Sequence, residues 1–410
     1  MRFILLVRRS AVTCALFFSA PSAAFLSDLL GKKLEPRSSP SNPPVSSPSL
    51  YSFTIANVKP WDVIVIGGGI IGLSLSIALR KRGAFVLVVD RGEPGREASH
   101  AAGGMLVDCP LETPPVLQSL ATASARMYPE FAYELELETG MKIDLRDQGT
   151  ILFPSSEHAF RNAEFVSIHA LRAHLNEVEP ALIPNEGTTL YLKERSIDPR
   201  ALTAAAVKAA KIRGVDFSSA DAATGLDVVD GGIAGVRTIK TSFRAAKIVN
   251  CAGAWSGQVG PHRFPTRPVK GQMLCLVMPS RDLLKHVIRT PEVYLIPRSD
   301  GRLLVGATVE EAGFDKRTDP ATIQRLHRAA LKLVPKLADA KILEDWAGLR
   351  PGTPDNLPIL GETDIPGYYV ATGHFRDGIL LAPITAQVMA DVIEGRKPEY
   401  DMAPFSPQRF

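Results

Sequence analysis

The chain has 410 residues, 45% apolar and 22% charged, with a formal net charge of +4. That length holds a sizeable core in two ordinary domains. Six Lys/Arg against two acids in residues 1–50 account for the whole surplus, so the body is formally neutral and nucleic-acid binding is not its business. Cys14, Cys109, Cys251 and Cys275 form no C-x-x-C pair, and the eight histidines show no H-E-x-x-H spacing. Neither a disulfide framework nor a metal site is expected.

Residues 1–24 read as a signal peptide. Arg2, Arg8 and Arg9 flank an apolar segment, Ala11 to Ala20, and Ser22 and Ala24 fit a cleavage site. The segment is too short for a comfortable membrane span, so none is expected in the mature chain. Residues 25–59, rich in Ser and Pro, read as a disordered transit or linker segment. The run Ser22-Ala-Ala-Phe25 resembles the bipartite presequences of algae with secondary plastids, which implies a plastid destination. Plain secretion and a mitochondrial presequence are the alternatives.

The body opens on Asp62-Val-Ile-Val-Ile-Gly-Gly-Gly-Ile-Ile-Gly72. Val63 to Ile66 reads as a buried parallel strand, Ile71 to Arg82 as a helix stopped by Gly83, and Phe85 to Val89 as a second strand closed by Asp90. This is a complete dinucleotide fingerprint. Gly67 permits the tight turn, Gly69 lets backbone approach a pyrophosphate, and Gly72 lets helix lie close to strand. Gly68, Ile70 and Ile71 belong to the same phosphate-facing stretch, where a helix N-terminus offers N–H groups and a positive dipole end. Asp90 is placed to accept from a ribose.

Residues 116–138 read as a helix. Thr150 to Phe153 is a short strand. Asp198-Pro-Arg200 opens a helix running to about Arg213, with Asp198 as N-cap and Pro199 as first residue. Asp230-Gly-Gly232 marks a hairpin, Ala246 to Cys251 a buried strand, and Asp300-Gly301 a second hairpin. Tyr368 to Thr372 is a strand, and a helix follows from about Pro383 to Ile393. Nucleotide-domain signals thus return after long insertions. The expected architecture is α/β: a discontinuous Rossmann-like cofactor domain (60–140, 195–264, 346–400) and an α+β substrate domain on a mostly antiparallel sheet (141–194, 265–345).

From about 61 to 395 the chain resembles the D-amino acid oxidase family of FAD enzymes, and within it the glycine oxidase branch associated with thiamine thiazole synthesis. The carrying motifs are Ser99-His-Ala-Ala-Gly-Gly-Met-Leu106, Asp198-Pro-Arg200, Cys251-Ala-Gly-Ala-Trp-Ser-Gly257 and Arg267-Pro-Val-Lys-Gly-Gln-Met273. Tyr294-Leu-Ile-Pro-Arg298, Gly301 to Thr308, Trp346 to Asp355 and Gly373-His-Phe-Arg-Asp-Gly-Ile-Leu-Leu-Ala-Pro383 continue them. The resemblance implies an FAD site at Gly67, Gly68, Gly69, Ile70, Ile71, Gly72, Asp90, Arg91, Ala98, Ser99, Gly103, Gly104, Met105 and Gly253. Backbone of His374, Phe375, Arg376, Asp377, Gly378, Ile379 and Leu380 would meet the flavin pyrimidine end. Arg350 would bind a substrate carboxylate, helped by Tyr294 and Arg376, with Met105 and Val309 in the pocket. Glu292 stands where some relatives have a histidine, which bears on substrate preference.

The residues alone leave alternatives open. Arg350, in an apolar and turn-rich setting, needs either a carboxylate ligand or an internal acid. Arg376 beside Asp377 has a local ion pair as its alternative. Tyr294 and Met105 also suit a core. The N-terminus of the last helix is expected to offer its dipole and free N–H groups to a reduced flavin. The implied reaction is oxidation of a small amine, with O2 as acceptor, a thiazole synthase as partner and a homo-oligomer as assembly. A sarcosine or D-amino acid oxidase, an amine dehydrogenase and a non-catalytic flavin-binding partner are the alternatives.

Overall fold

A computed structural model describes residues 61–154, 169–170, 175–183 and 189–410, so the predicted leader lies outside the described residues. In chain order the first elements are β1 (Val63–Ile66), α1 (Ile70–Lys81), β2 (Val86–Val89), α2 (Ala98–Ala101), β3 (Met105–Leu106) and α3 (Gln118–Thr139). Next come β4 (Thr150–Leu152), β5 (His169–Ala170), α4 (Leu175–Val178), β6 (Leu190–Leu192), β7 (Arg195–Ser196), α5 (Pro199–Ile212) and β8 (Asp216–Ser218). They are followed by β9 (Ala223–Val229), β10 (Gly232–Thr238), β11 (Ser242–Arg244), β12 (Lys247–Asn250), β13 (Arg267–Val277), β14 (Val287–Arg289), β15 (Tyr294–Pro297) and β16 (Arg302–Gly306). The last are α6 (Pro320–Leu333), β17 (Lys341–Gly352), β18 (Ile359–Glu362), β19 (Tyr368–Thr372) and α7 (Ala382–Ile393).

A six-stranded sheet runs in the order β18-β19-β12-β1-β2-β8. All its pairs are parallel except β18 with β19. Side chains alternate across a strand. Val63 and Val65 therefore join the core under α1, α3, α5 and α7, while Ile64 and Ile66 meet Leu226, Ile233 and Val236 of the small β9–β10–β11 sheet. Burial on both faces is why these strands read as unbroken apolar runs. Asp230 and Gly231 both hold positive φ, 50° and 82°, as the predicted hairpin turn demands. At the start of α5, Asp198 accepts from the Arg200 and Ala201 backbone N–H groups, at 2.9 and 3.3 Å.

The second sheet has eight strands, β17-β13-β16-β15-β14-β4-β6-β5. Its pairs are antiparallel apart from β14 with β4. One face packs on α6 through Leu274, Leu276, Leu303, Val305, Ile323 and Leu326. The other face, with Met273, Ile296, Tyr294 and Trp346, turns towards Met105.

Candidate active site

A cavity of about 640 Å³ runs from the glycine loop between β1 and α1 to the faces of β15 and β17. At its first end Gly67, Gly69, Ile70 and Ile71 line the wall. A side chain at Gly67 (φ 106°) would overlap the Cys251 carbonyl, and one at Gly72 would overlap the Gly67 carbonyl. Gly72 therefore serves helix-to-strand packing and does not itself line the cavity. Gly68 also lies off the wall. Its N–H donates to Asp90 Oδ2 at 2.7 Å, while Gly92 N–H donates to Oδ1 at 2.8 Å. Ser99 Oγ accepts from Ile70 N–H at 2.9 Å. Asp90 and Ser99 thus first hold the glycine loop in shape. A carboxylate with about four acceptor positions still has room for a ribose hydroxyl.

The N-cap of α1 is Gly69, which supplies no side-chain acceptor. With Ile70 N–H given to Ser99 Oγ, the first-turn N–H groups of Ile71 and Gly72 have no acceptor among the described residues and stay available to an anion, a cradle that fits a pyrophosphate. Ala98, Arg91 and Gly253 line the same end. The Arg91 guanidinium lies 4.4 Å from the centre of the Trp255 ring, another wall residue.

Gly103, Gly104 and Met105 line the middle. Arg298, almost wholly buried, donates from Nη2 to the Gly103 carbonyl at 2.5 Å. Burial lowers its pKa to about 10, against the pull of Asp198. Gly104 has φ 78°, and its carbonyl accepts from Ile197 N–H at 2.8 Å.

Arg350, half-buried on β17, lines the far end with Tyr294 of β15. Its Nη1 donates to the carbonyls of Thr308 (3.1 Å) and Lys270 (3.3 Å). No acid pairs with it among the described residues, so the internal-salt-bridge alternative finds no support. Burial raises the Tyr294 pKa, with Arg350 and Arg376 pulling it back down. The hydroxyl therefore stays protonated. Val309 reaches the cavity from its rim and is 65% exposed; Glu292 is another rim residue. Beside them Arg289 is paired with Glu112 (2.8 Å) and Glu194 (3.0 Å).

The loop after β19 supplies His374, Phe375, Arg376, Asp377, Gly378 and Ile379 to the wall. Phe375 has φ 44°, and its N–H donates to the Pro351 carbonyl at 3.0 Å. His374 is buried, with Nε2 3.1 Å from Thr385 Oγ1, and burial lowers its pKa to about 3. Arg376 is exposed, its guanidinium 5.8 Å from the Phe375 ring centre. It forms no ion pair with Asp377 among the described residues. Leu380 does not line the cavity. Its side chain is in the core, and its carbonyl accepts from Ser124 Oγ.

The expectation of free N–H groups at the start of α7 needs correcting. Leu381 N–H is taken by the Asp377 carbonyl, Ala382 N–H by the Ile379 carbonyl and Ile384 N–H by Ser124 Oγ. Pro383 has no N–H. The loop before the helix, rather than its first turn, carries the unsatisfied donors. Sequence reasoning also passed over Ser124, Tyr128, Gly271 and Arg298, although Gly271 and Arg298 stand inside quoted motifs.

Fold and cavity define a dinucleotide-binding oxidoreductase whose nucleotide sheet is completed by distant segments, as in flavoproteins. The family comparison gives the particular. Residues 62–392 match the family described as DAO, FAD dependent oxidoreductase, and the chain belongs to it. It is 36% identical over 362 residues to the bifunctional protein ThiO/ThiG of Trichormus variabilis, covering 85% of this chain and 55% of that protein. The chain thus spans about half the length of the ThiO/ThiG relatives it matches. It is 32% identical to the glycine oxidase of Pseudomonas putida, covering 85% of this chain and 98% of that one. The crystal structure of glycine oxidase from Geobacillus kaustophilus superposes with a TM-score of 0.81 at 31% identity, covering 86% of this chain and 99% of the other.

Proposed function

We propose that the protein oxidises glycine, or a closely related small amine, to the oxo acid and ammonia. The observation that carries this reading is Arg350, a guanidinium without an acidic partner among the described residues, in the same cavity as the dinucleotide loop. Its planar fork suits a carboxylate, and Tyr294 adds a hydroxyl donor beside it. Arg376 contributes further positive charge at the mouth. With the acid end fixed, the Cα–H of a small amino acid is presented along the cavity axis. Catalysis then rests on orientation and fixed charge rather than on a general base.

A bound FAD would supply the two-electron chemistry, accepting a hydride from the substrate and returning the electrons to O2 as hydrogen peroxide. For glycine the balance is glycine, O2 and water in, with glyoxylate, ammonia and peroxide out. The glycine loop, Asp90, Ser99 and the α1 N-terminus would hold the nucleotide part of FAD, and Gly103 to Met105 with the 374–379 loop would flank its ring.

The ThiO/ThiG relatives support a link to thiamine thiazole formation, with a thiazole synthase as the protein that receives the glycine-derived imine. Assembly as a homo-oligomer belongs to the same reading. The leader supports delivery to a plastid, tested by fusing residues 1–24 and 1–59 to a fluorescent protein. Appearance of the longer fusion in the medium would end that idea.

The activity is tested with purified protein, FAD and a panel of glycine, sarcosine, D-alanine and larger amines, with peroxide as readout. Glycine or sarcosine should give the highest kcat/KM. A yellow protein whose flavin no amine bleaches without oxygen would refute the assignment.

A further inference from the structure

Three adjacent backbone N–H groups, those of Gly378, Ile379 and Leu380, have no acceptor among the described residues. Gly378 and Ile379 line the cavity. The carbonyls of this turn are tied down instead. Tyr128 Oη donates to the Ile379 carbonyl, and Ser124 Oγ donates to the Leu380 carbonyl at 2.6 Å. Ser124 and Tyr128 sit four residues apart on α3, hence on one face of it. Both are fully buried.

A trans peptide points its C=O and the next N–H in opposite directions. Pinning the Ile379 oxygen to α3 therefore fixes the 379–380 peptide plane, and with it the turn whose Gly378 and Ile379 line the cavity. Pinning the Leu380 oxygen likewise leaves Leu381 N–H to close the turn on the Asp377 carbonyl, at 2.8 Å. Ser124 Oγ also accepts from Ile384 N–H at 3.4 Å, which locks the start of α7 to the same spot. Among the described residues the Tyr128 hydroxyl has one hydrogen-bond partner and no charged neighbour. Burial raises its pKa far beyond the ordinary tyrosine range, so it remains a donor at every working pH.

We propose that Tyr128 and Ser124 are positioning residues: from behind the loop they aim its free N–H donors at the polar edge of the bound flavin ring. The proposal rests on the FAD assignment and goes beyond it, since neither side chain touches the cavity. Its chemical meaning is electrostatic. A reduced isoalloxazine carries negative charge at N1 and its neighbouring carbonyl, and fixed amide donors favour that form. Loosening them should make the bound flavin harder to reduce.

The test uses the FAD-loaded full chain and the variants Tyr128→Phe and Ser124→Ala, with sulfite affinity and the flavin midpoint potential as readouts. Sulfite adds to N5 and places negative charge on the same ring edge. Removing one such hydrogen bond should weaken sulfite binding roughly 3- to 10-fold. The potential should fall, by about 30 mV for a tenfold change in a two-electron equilibrium. Thermal stability is measured alongside, because a purely structural role lowers Tm and leaves potential and sulfite affinity in place. Unchanged values in either folded, flavin-loaded variant overturn the proposal. Wild-type protein that binds no FAD would instead sink the assignment beneath it, so the two failures are distinguishable. Ser124→Ala supplies the answer should Tyr128→Phe fail to fold.

Discussion

The guanidinium of Arg350 lies over the bare α-carbon of Gly271, where any side chain would overlap both Nη atoms and Cζ. The two residues are diagonal neighbours on adjacent strands, β13 and β17, with Gly271 registered against Gly348 and Val269 against Arg350. Gly271 is therefore the floor of the proposed carboxylate site. Gly271→Ala should push the guanidinium out of place and raise KM for glycine roughly ten- to a hundred-fold, with a smaller effect on kcat. An unchanged KM would show that Arg350 does not anchor the substrate.

Asp377 gives a pH signature. Burial, reinforced by Glu112 and opposed by Arg376, lifts its pKa to about 6 from the ordinary 3.8. Between those two values the folded state keeps a proton that the unfolded chain has lost. Stability should therefore fall as pH rises through that window and level off above it. Asp377→Asn removes the slope. Comparing Tm of the flavin-free wild type and variant from pH 4 to 8 should show the variant gaining on the wild type as pH rises. Parallel curves would refute the shift.

The segment from Thr308 to Asp319 ties the eight-stranded sheet to the cofactor end of the cavity. Lys316 Nζ stands 3.0 Å from Glu97 Oε2, and the Phe314 ring stacks on Trp255 with centroids 5.3 Å apart. Both Glu97 and Trp255 line the cavity. Glu97→Lys should speed FAD release a few-fold, as befits an exposed pair worth at most about 1 kcal/mol. Adding Lys316→Glu should restore retention. A double variant as leaky as the single one would remove the pair from the account.

All three cysteines of the body are free and buried. Burial raises the thiol pKa of Cys109 and Cys275 to about 11, and that of Cys251 further. In the native protein Cys109, Cys251 and Cys275 should resist alkylation by iodoacetamide at pH 8, and on denaturation all three should take it up. Rapid labelling of native Cys251 would contradict its placement.

The glycine fingerprint was legible because each part is local: two apolar runs, a glycine triplet and an acid at fixed spacing. The hairpin turns at Asp230-Gly231 and Asp300-Gly301 were legible for the same reason. Arg350 stood out as a lone charge in an apolar, turn-rich run, yet the sequence left its partner open, because the deciding neighbours, Lys270 and Thr308, are far away in the chain. Ser124 and Tyr128 gave no signal at all. They sit on the buried face of α3 without belonging to any motif, and their hydrogen bonds reach carbonyls more than 250 residues away. The misjudged start of α7 had a similar cause. Helix spacing shows where a helix begins, not which neighbour has already used its donors.

In the six-stranded sheet β1 lies between β2 and β12, and β12 in turn lies against β19. A ribosome delivers these strands in a very different order. β1 and β2 can pair as soon as they emerge, but the far edge of β12 must wait, uncovered, until β19 has been made near the end of the polypeptide. Such long-range pairing makes assembly slow and exposes unfinished chains to clumping. Truncation before β19 should leave the β12 edge bare, and efficient production of this protein should depend on shielding that edge until the last strands arrive.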